Sequence, residues 1–147
     1  MELARAARDA GVVGLWTSPL KRARETAAIV GALVGVEPSV LPGLVESDRG
    51  TWEGQPFDEI ARDSPELFAA FVGAESGFAF PGGESLREQV ERTREALDVI
   101  AGGPLPALAV AHAGTIRAAL IALGRPAPPE RELPHGEIVR VMWPASR

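Results

Sequence analysis

Few residues in this chain of 147 combine a reactive type with a setting where chemistry is done. One group is Ser18-Pro19-Leu20-Lys21-Arg22-Ala23, which follows a short apolar run and opens a helical pattern. The first turn of a helix offers free backbone N–H groups and a partial positive charge, a combination that suits phosphate. Arg22 falls in that turn and adds a planar fork of donors. A second group is Val110-Ala111-His112-Ala113-Gly114-Thr115. There a histidine ends an apolar run, small residues lead into a helix, and Gly114 permits close backbone approach. The third is the loop Leu44 to Gly50, where Glu46 and Asp48 stand two residues apart. Either carboxyl is a candidate proton donor beside an anion site. Each group also has a plain structural reading: a capped helix with solvated cations, a histidine satisfied by a neighbouring carbonyl, and a solvated loop. Glu84, next to a capping box, reads as structural.

Other chemistries fail on residue type. The chain has no cysteine, which removes disulfides, thiolate nucleophiles and cysteine–zinc sites. Only His112 and His135 supply imidazole, so a histidine-rich metal site is excluded and no metal is expected. His135-Gly136-Glu137 precedes an apolar segment rather than ending one, and reads as a turn. No G-x-S-x-G, G-x-x-x-x-G-K-[ST] or G-x-G-x-x-G motif occurs. The net charge is −5, with no basic run, which argues against nucleic acid or an anionic membrane as partner. No apolar stretch approaches the ~20 residues of a membrane span. The N-terminus lacks a signal-peptide core. The missing cysteines fit a cytoplasmic setting.

The elements that must position these groups are legible from periodicity and punctuation. Residues 2 to 10 read as a helix stopped by Gly11, and Val12 to Trp16 as a buried strand. Ser18 is expected to cap the next helix, with Pro19 at its first position; Gly35 closes it. Pro38 to Leu41 reads as a short strand, and residues 42 to 56 as a loop. Short helices are expected near Asp58–Arg62 and Pro65–Val72. Ser85-Leu86-Arg87-Glu88 is a capping box, opening a helix with Leu86, Val90, Thr93, Leu97 and Ile100 inward and Gly102 as its stop. Ala107 to Ala111 reads as a buried parallel strand, Thr115 to Leu123 as a helix, and Ile138 to Trp143 as a last strand. Strands separated by helices predict a single α/β domain over residues 1–147, a three-layer α/β/α sandwich with a mostly parallel sheet. In such sheets, ligands sit at the carboxyl ends of strands. All five phenylalanines fall between Gln55 and Phe80. They fit either packing against the sheet or an apolar lid that favours substrates with an aromatic portion.

Together these stretches resemble the histidine phosphatase superfamily, also called phosphoglycerate-mutase-like. Trp16 to Ala27, containing Ser18-Pro19-Leu20-Lys21-Arg22-Ala23, is similar to its S-P-L-x-R-A-x-x-T-A segment. Leu44-Val45-Glu46 through Gly50-Thr51-Trp52-Glu53-Gly54 is similar to L-x-E…G-x-W-E-G. Pro81-Gly82-Gly83-Glu84-Ser85 matches P-G-G-E-S, and Ala111 to Arg117 resembles S-H-G-G-x-I-R. Four segments in order, over almost the whole chain, make the match specific. The resemblance implies that Arg22 clamps phosphate and that His112 binds the phosphoryl oxygens. It implies Glu46 as the acid that protonates the leaving alcohol, with Asp48 as rival. Ala113 stands in place of the first glycine and adds a methyl group beside the substrate.

The family opens with a strand ending in Arg-His-Gly, whose histidine is the nucleophile. These 147 residues contain no Arg-His-Gly, and the sequence is expected to begin inside the family's first helix, so the domain reads as truncated at its N-terminus. The resemblance thus implies a phosphomonoester hydrolase that works through a phosphohistidine in the complete protein. It needs no dissociable cofactor and takes a small-molecule phosphomonoester as its partner. A phosphoglycerate mutase is the alternative within the family. Between Gln55 and Phe80, however, there is no lysine, Arg62 is the sole arginine, and the chain has no tyrosine to help read a carboxylate. A non-catalytic module that binds a phosphoryl ligand through Arg22 and His112 is the alternative outside enzymology.

Overall fold

The structure, a computed structural model, describes residues 2–133 and 138–143. Three parallel strands form the sheet in the order β2-β1-β3, with β1 at Gly14–Thr17, β2 at Ser39–Val40 and β3 at Ala107–Val110. Thr17 pairs with Val40 on one side and Val110 on the other, so the carboxyl ends of β1 and β3 lie on one edge.

Side-chain alternation along the strands builds the three layers. Leu15, Leu108 and Val110 point into one cluster with Ala4 and Ala7 of α1 (Glu2–Asp9) and Val30 of α2 (Lys21–Val34). Trp16, Ala107 and Ala111 point the other way, against Leu44 and the Ala96 and Ile100 face of α5 (Leu86–Ala101). β3 is apolar at every position, and its side chains meet a cluster on each face of the sheet. The capping box of α5 forms in full: Ser85 Oγ accepts from the Glu88 N–H at 3.0 Å, and Glu88 Oε1 from the Ser85 N–H at 3.2 Å. Its buried stripe is Leu86, Gln89, Thr93, Ala96 and Ile100, while Val90 and Leu97 are half-buried.

Three expectations are corrected. First, α2 begins at Lys21 after an extended Leu20, so Pro19 is not helical and Ser18 does not cap the helix. Ser18 Oγ accepts from the Leu20 N–H at 3.2 Å, and its main partner lies elsewhere. Second, residues 138–143 form no strand. Trp143 Nε1 donates instead to Asp98 Oδ1 on α5 at 2.7 Å, and the weak alternation finds no ladder to join. The His135 turn lies outside the described residues. Third, β3 is not a buried strand: Ala107, Leu108 and Val110 are half-buried and Ala109 is exposed, because β3 is an edge strand of the described sheet. Of the two readings of the phenylalanines, packing is the one the structure bears out.

Helices α3 (Phe57–Asp63) and α4 (Pro65–Val72) wrap Trp52 in a second core with Phe68, Phe71, Phe78 and Phe80, all buried. Trp52 meets Phe71 and Phe80 edge-on at 5.7 and 5.6 Å. Aromatic side chains bury about 150–250 Å² each, enough to hold these two short helices around Trp52. That core presses the Gly50–Trp52 turn against the Pro81-Gly82-Gly83 turn, backbone on backbone. A β-carbon at Gly83 would lie 2.4 Å from the Asp48 carbonyl oxygen, so only glycine fits there. The Glu84 N–H donates to that same oxygen at 2.8 Å. The Glu84 carboxylate takes a forked pair from Arg92, which also donates to the Gly43 and Val45 carbonyls. The loop bearing Glu46 is thereby fastened at both ends.

Candidate active site

Residues just past the carboxyl ends of β1 and β3 meet, although 94 positions separate them. Ser18 N–H extends the ladder by donating to the Val110 oxygen at 2.9 Å. This brings Ser18 Oγ to 2.8 Å from His112 Nε2, with both residues buried. Arg22, in the first turn of α2, places Nη2 3.4 Å from His112 Nδ1. Arginine can only donate, so this contact leaves Nδ1 as the acceptor and puts the ring proton on Nε2, towards Ser18. Burial holds His112 below its ordinary value, Glu46 opposes this, and Arg22 and Arg49 add to it. A neutral ring therefore faces an exposed guanidinium at the mouth of the site. An oxyanion arriving there meets Arg22, the open N–H groups of the α2 first turn, and an Nδ1 ready to take up a proton.

His112 is also the N-cap residue of α6 (Ala113–Ala122). The second residue of that helix, Gly114, donates its free N–H to Glu46 Oε2 at 3.3 Å, and the Ser47 N–H donates to Oε1 at 2.9 Å. A β-carbon at Gly114 would lie 2.3 Å from Glu46 Oε1, so glycine here is a condition for the carboxyl to dock on the helix terminus. Of the two candidate acids, Glu46 joins His112 and Arg22. Asp48 is exposed, and its Oδ1 accepts from the Gly50 N–H at 3.0 Å, closing a turn. Ala113 lies in the first turn of α6 beside His112.

Sequence reading missed two members of this neighbourhood. Arg49 lies 3.5 Å from Glu46 Oε2 and is bonded to Glu130, a buried carboxylate in the proline-rich stretch after α6. Burial pushes Glu130 up from its ordinary value and Arg49 opposes the shift. Nothing local marks Glu130, because its significance depends on a partner 81 positions away. Among the described residues no group of three or more His, Asp or Glu is placed to hold a metal ion. No helix there is long and apolar enough to cross a membrane.

The model of the family described as "Histidine phosphatase superfamily (branch 1)" matches residues 1–143. The chain is 32% identical over 130 residues to a probable phosphoglycerate mutase of Erwinia tasmaniensis, covering 86% of this chain and 60% of the relative. It is 32% identical over 119 residues to a metal-independent phosphoserine phosphatase of Arabidopsis thaliana, covering 78% and 50%. It also superimposes on a mycobacterial glucosyl-3-phosphoglycerate phosphatase solved in complex with inorganic phosphate. There the TM-score is 0.72 and the identity 27%, over 90% of this chain and 69% of that one. The chain spans between 26% and 60% of the length of the first curated relatives it matches.

Proposed function

This chain belongs to the histidine phosphatase superfamily, branch 1, and on that premise we propose that it supplies the phosphoryl-binding and proton-donating parts of a metal-independent phosphomonoester hydrolase. The observation that carries the reading is the meeting of Arg22 and His112 at 3.4 Å, 90 positions apart, at the strand edge where ligands bind. In this reading Arg22 takes two phosphoryl oxygens. His112 Nδ1 becomes protonated and donates to a third, supporting charge as it develops. The nucleophile is a histidine of the Arg-His-Gly segment that the resemblance implies. Its nitrogen forms a bond to phosphorus as the ester oxygen leaves. Glu46 gives that oxygen its proton, and then takes one from the water that releases phosphate from the phosphohistidine.

Hydrolase is favoured over mutase by the second core. The segment from Gln55 to Phe80 is spent on burying Phe68, Phe71, Phe78 and Phe80. Its one arginine, Arg62, is exposed and 3.8 Å from Asp63. The same burial removes the basis for an aromatic-lined lid, so no preference for apolar substrates is proposed. A small-molecule phosphomonoester as the partner and a cytoplasmic setting complete the reading. A binding module without catalysis is separated from an enzyme by the coding sequence upstream of Met1, where an in-frame strand ending in Arg-His-Gly marks the enzyme.

Phosphate titration followed by backbone-amide NMR tests the site itself. A dissociation constant on the order of 1 mM is expected, with shifts centred on Ser18 to Arg22 and His112 to Gly114. Arg22→Ala should weaken binding by about tenfold or more, the size of a lost charge-assisted hydrogen bond. Shifts elsewhere, or unchanged affinity in Arg22→Ala, would contradict the assignment.

A further inference from the structure

Beside Gly114, on the side away from His112's partners, α5, α6 and the short turn Glu130–Glu132 meet around a cavity of about 10 Å³. Its apolar wall belongs to the second core, through Phe71, Phe78 and Phe80. Its polar wall is Gln89 of α5, Arg117 of α6 and Glu130. Gln89 and Arg117 are 4% and 3% exposed and the Glu130 side chain 9%, so the cavity lies in the interior. Two donors on this wall, Gln89 Nε2 and Arg117 Nε, make no hydrogen bond among the described residues. Neither is free to turn away. Arg117 Nη2 donates to the Phe71 and Val72 carbonyls, and the guanidinium lies 5.1 Å from the Phe71 ring centre. Gln89 is packed against the Gly114 backbone, where a β-carbon would lie 3.2 Å from its Nε2. Glu130 supplies an acceptor: Arg49 engages its Oε1, and Oε2 takes no bond among the described residues.

A buried N–H without an acceptor is costly, and protein interiors pair nearly all such groups. Two donors and a carboxyl around one small space select their guest. An anion would satisfy both donors but would face the Glu130 carboxylate. A cation would face the Arg117 guanidinium. A water molecule carries no charge, accepts from both N–H groups and donates to the carboxyl. It needs about 10–15 Å³ of such space and two to four polar partners, and this cavity offers both. We propose that the cavity is a binding site for a single water, held by Gln89 Nε2, Arg117 Nε and the Glu130 carboxyl. The water ties the turn after α6 to α5 and α6, next to the glycine on which the Glu46 carboxyl docks. The inference stands apart from the phosphatase reading and does not depend on it.

The test is a high-resolution crystal structure, read together with water–protein NMR cross-peaks in solution. One density peak is expected within hydrogen-bond distance of both Gln89 Nε2 and Arg117 Nε, with no anomalous signal there after a bromide soak. The Gln89 side-chain amide protons should show cross-peaks to water with the sign of a molecule that tumbles with the protein. Gln89→Met keeps the length of the side chain and removes the donor, so the peak should be lost from that variant. No peak in the parent, bromide in its place, or either nitrogen bonded directly to a protein acceptor would overturn the proposal. So would a peak that survives unchanged in Gln89→Met, or Gln89 amide protons with no cross-peak to a bound water. If Gln89→Met does not fold, the parent structure and its cross-peaks decide by themselves.

Discussion

The purified 147-residue polypeptide is expected to bind phosphate and to hydrolyse no phosphomonoester at a measurable rate. Covalent transfer to a histidine needs an imidazole in line with the leaving oxygen. His112 has Nε2 at Ser18 and Nδ1 facing Arg22, and the resemblance gives it the role of supporting phosphoryl oxygens rather than of attacking phosphorus. His135 is the only other histidine. On the proposed reading these residues assemble an oxyanion clamp with a proton donor beside it. Placing a strand that ends in Arg-His-Gly ahead of Met1 should bring turnover. The sheet can receive it: among the described residues β3 is an edge strand, and its residues are half-buried or exposed where those of β1 are almost wholly enclosed. A parallel strand added there would end beside His112. Turnover is to be measured on alkyl phosphates with and without the added strand, using His112→Ala to exclude contaminants. Robust turnover by the 147 residues alone, lost in His112→Ala, would show that His112 is itself the nucleophile.

In the strand-extended protein, Glu46→Gln should divide substrates by their leaving group. An alkoxide leaves poorly without a proton, so alkyl phosphates should lose about 10²–10⁴ in kcat. A p-nitrophenolate leaves without help and should lose less than about tenfold. Glutamine retains one oxygen, which can accept from the Ser47 or the Gly114 N–H but not replace both carboxylate oxygens, so circular dichroism of Glu46→Gln is compared with the parent to exclude a loss of fold. Equal losses on both substrates would assign Glu46 to structure. Asp48→Asn serves as the comparison. Its carboxylate closes a turn with Gly50 in solvent, so its loss should slow neither substrate selectively.

The elements that position this site are written in local signals, and most are readable. The capping box of α5, the glycine stops and the apolar run of β3 each fix an element through contacts within a few residues. The groups misread are those whose partners are distant. Ser18 followed by proline carries the signature of a helix cap, yet its hydroxyl is claimed by His112 and α2 starts three residues later. The phenylalanines after Gln55 admit packing or a lid in sequence, and only the folded chain, with Trp52 at their centre, decides for packing. Residues 138–143 alternate weakly, but alternation makes a strand only where a ladder accepts it, and here Trp143 bonds to Asp98 on α5 instead. Glu130 lies in a run of prolines and charges that reads as a connection, and only the folded chain sets it against Arg49.

The charge on His112 decides the central claim. In the free protein, burial and the flanking Arg22 hold His112 below its ordinary value, so near pH 7 the ring is neutral. Its folded value is depressed, so it favours folding above about pH 6.5, the unfolded histidine value, and this contribution is lost as pH falls towards the folded value. A bound phosphoryl anion reverses the balance, because Nδ1 must then donate. Imidazole-nitrogen NMR of His112, recorded near pH 7 with and without saturating phosphate, should show a neutral ring becoming an imidazolium. The midpoint should move up on binding, and affinity for sulfate, whose own charge is constant in this range, should fall as pH rises through it. A His112 ring that stays neutral at saturation, in a protein that still binds phosphate through Arg22, would contradict the oxyanion role given to it.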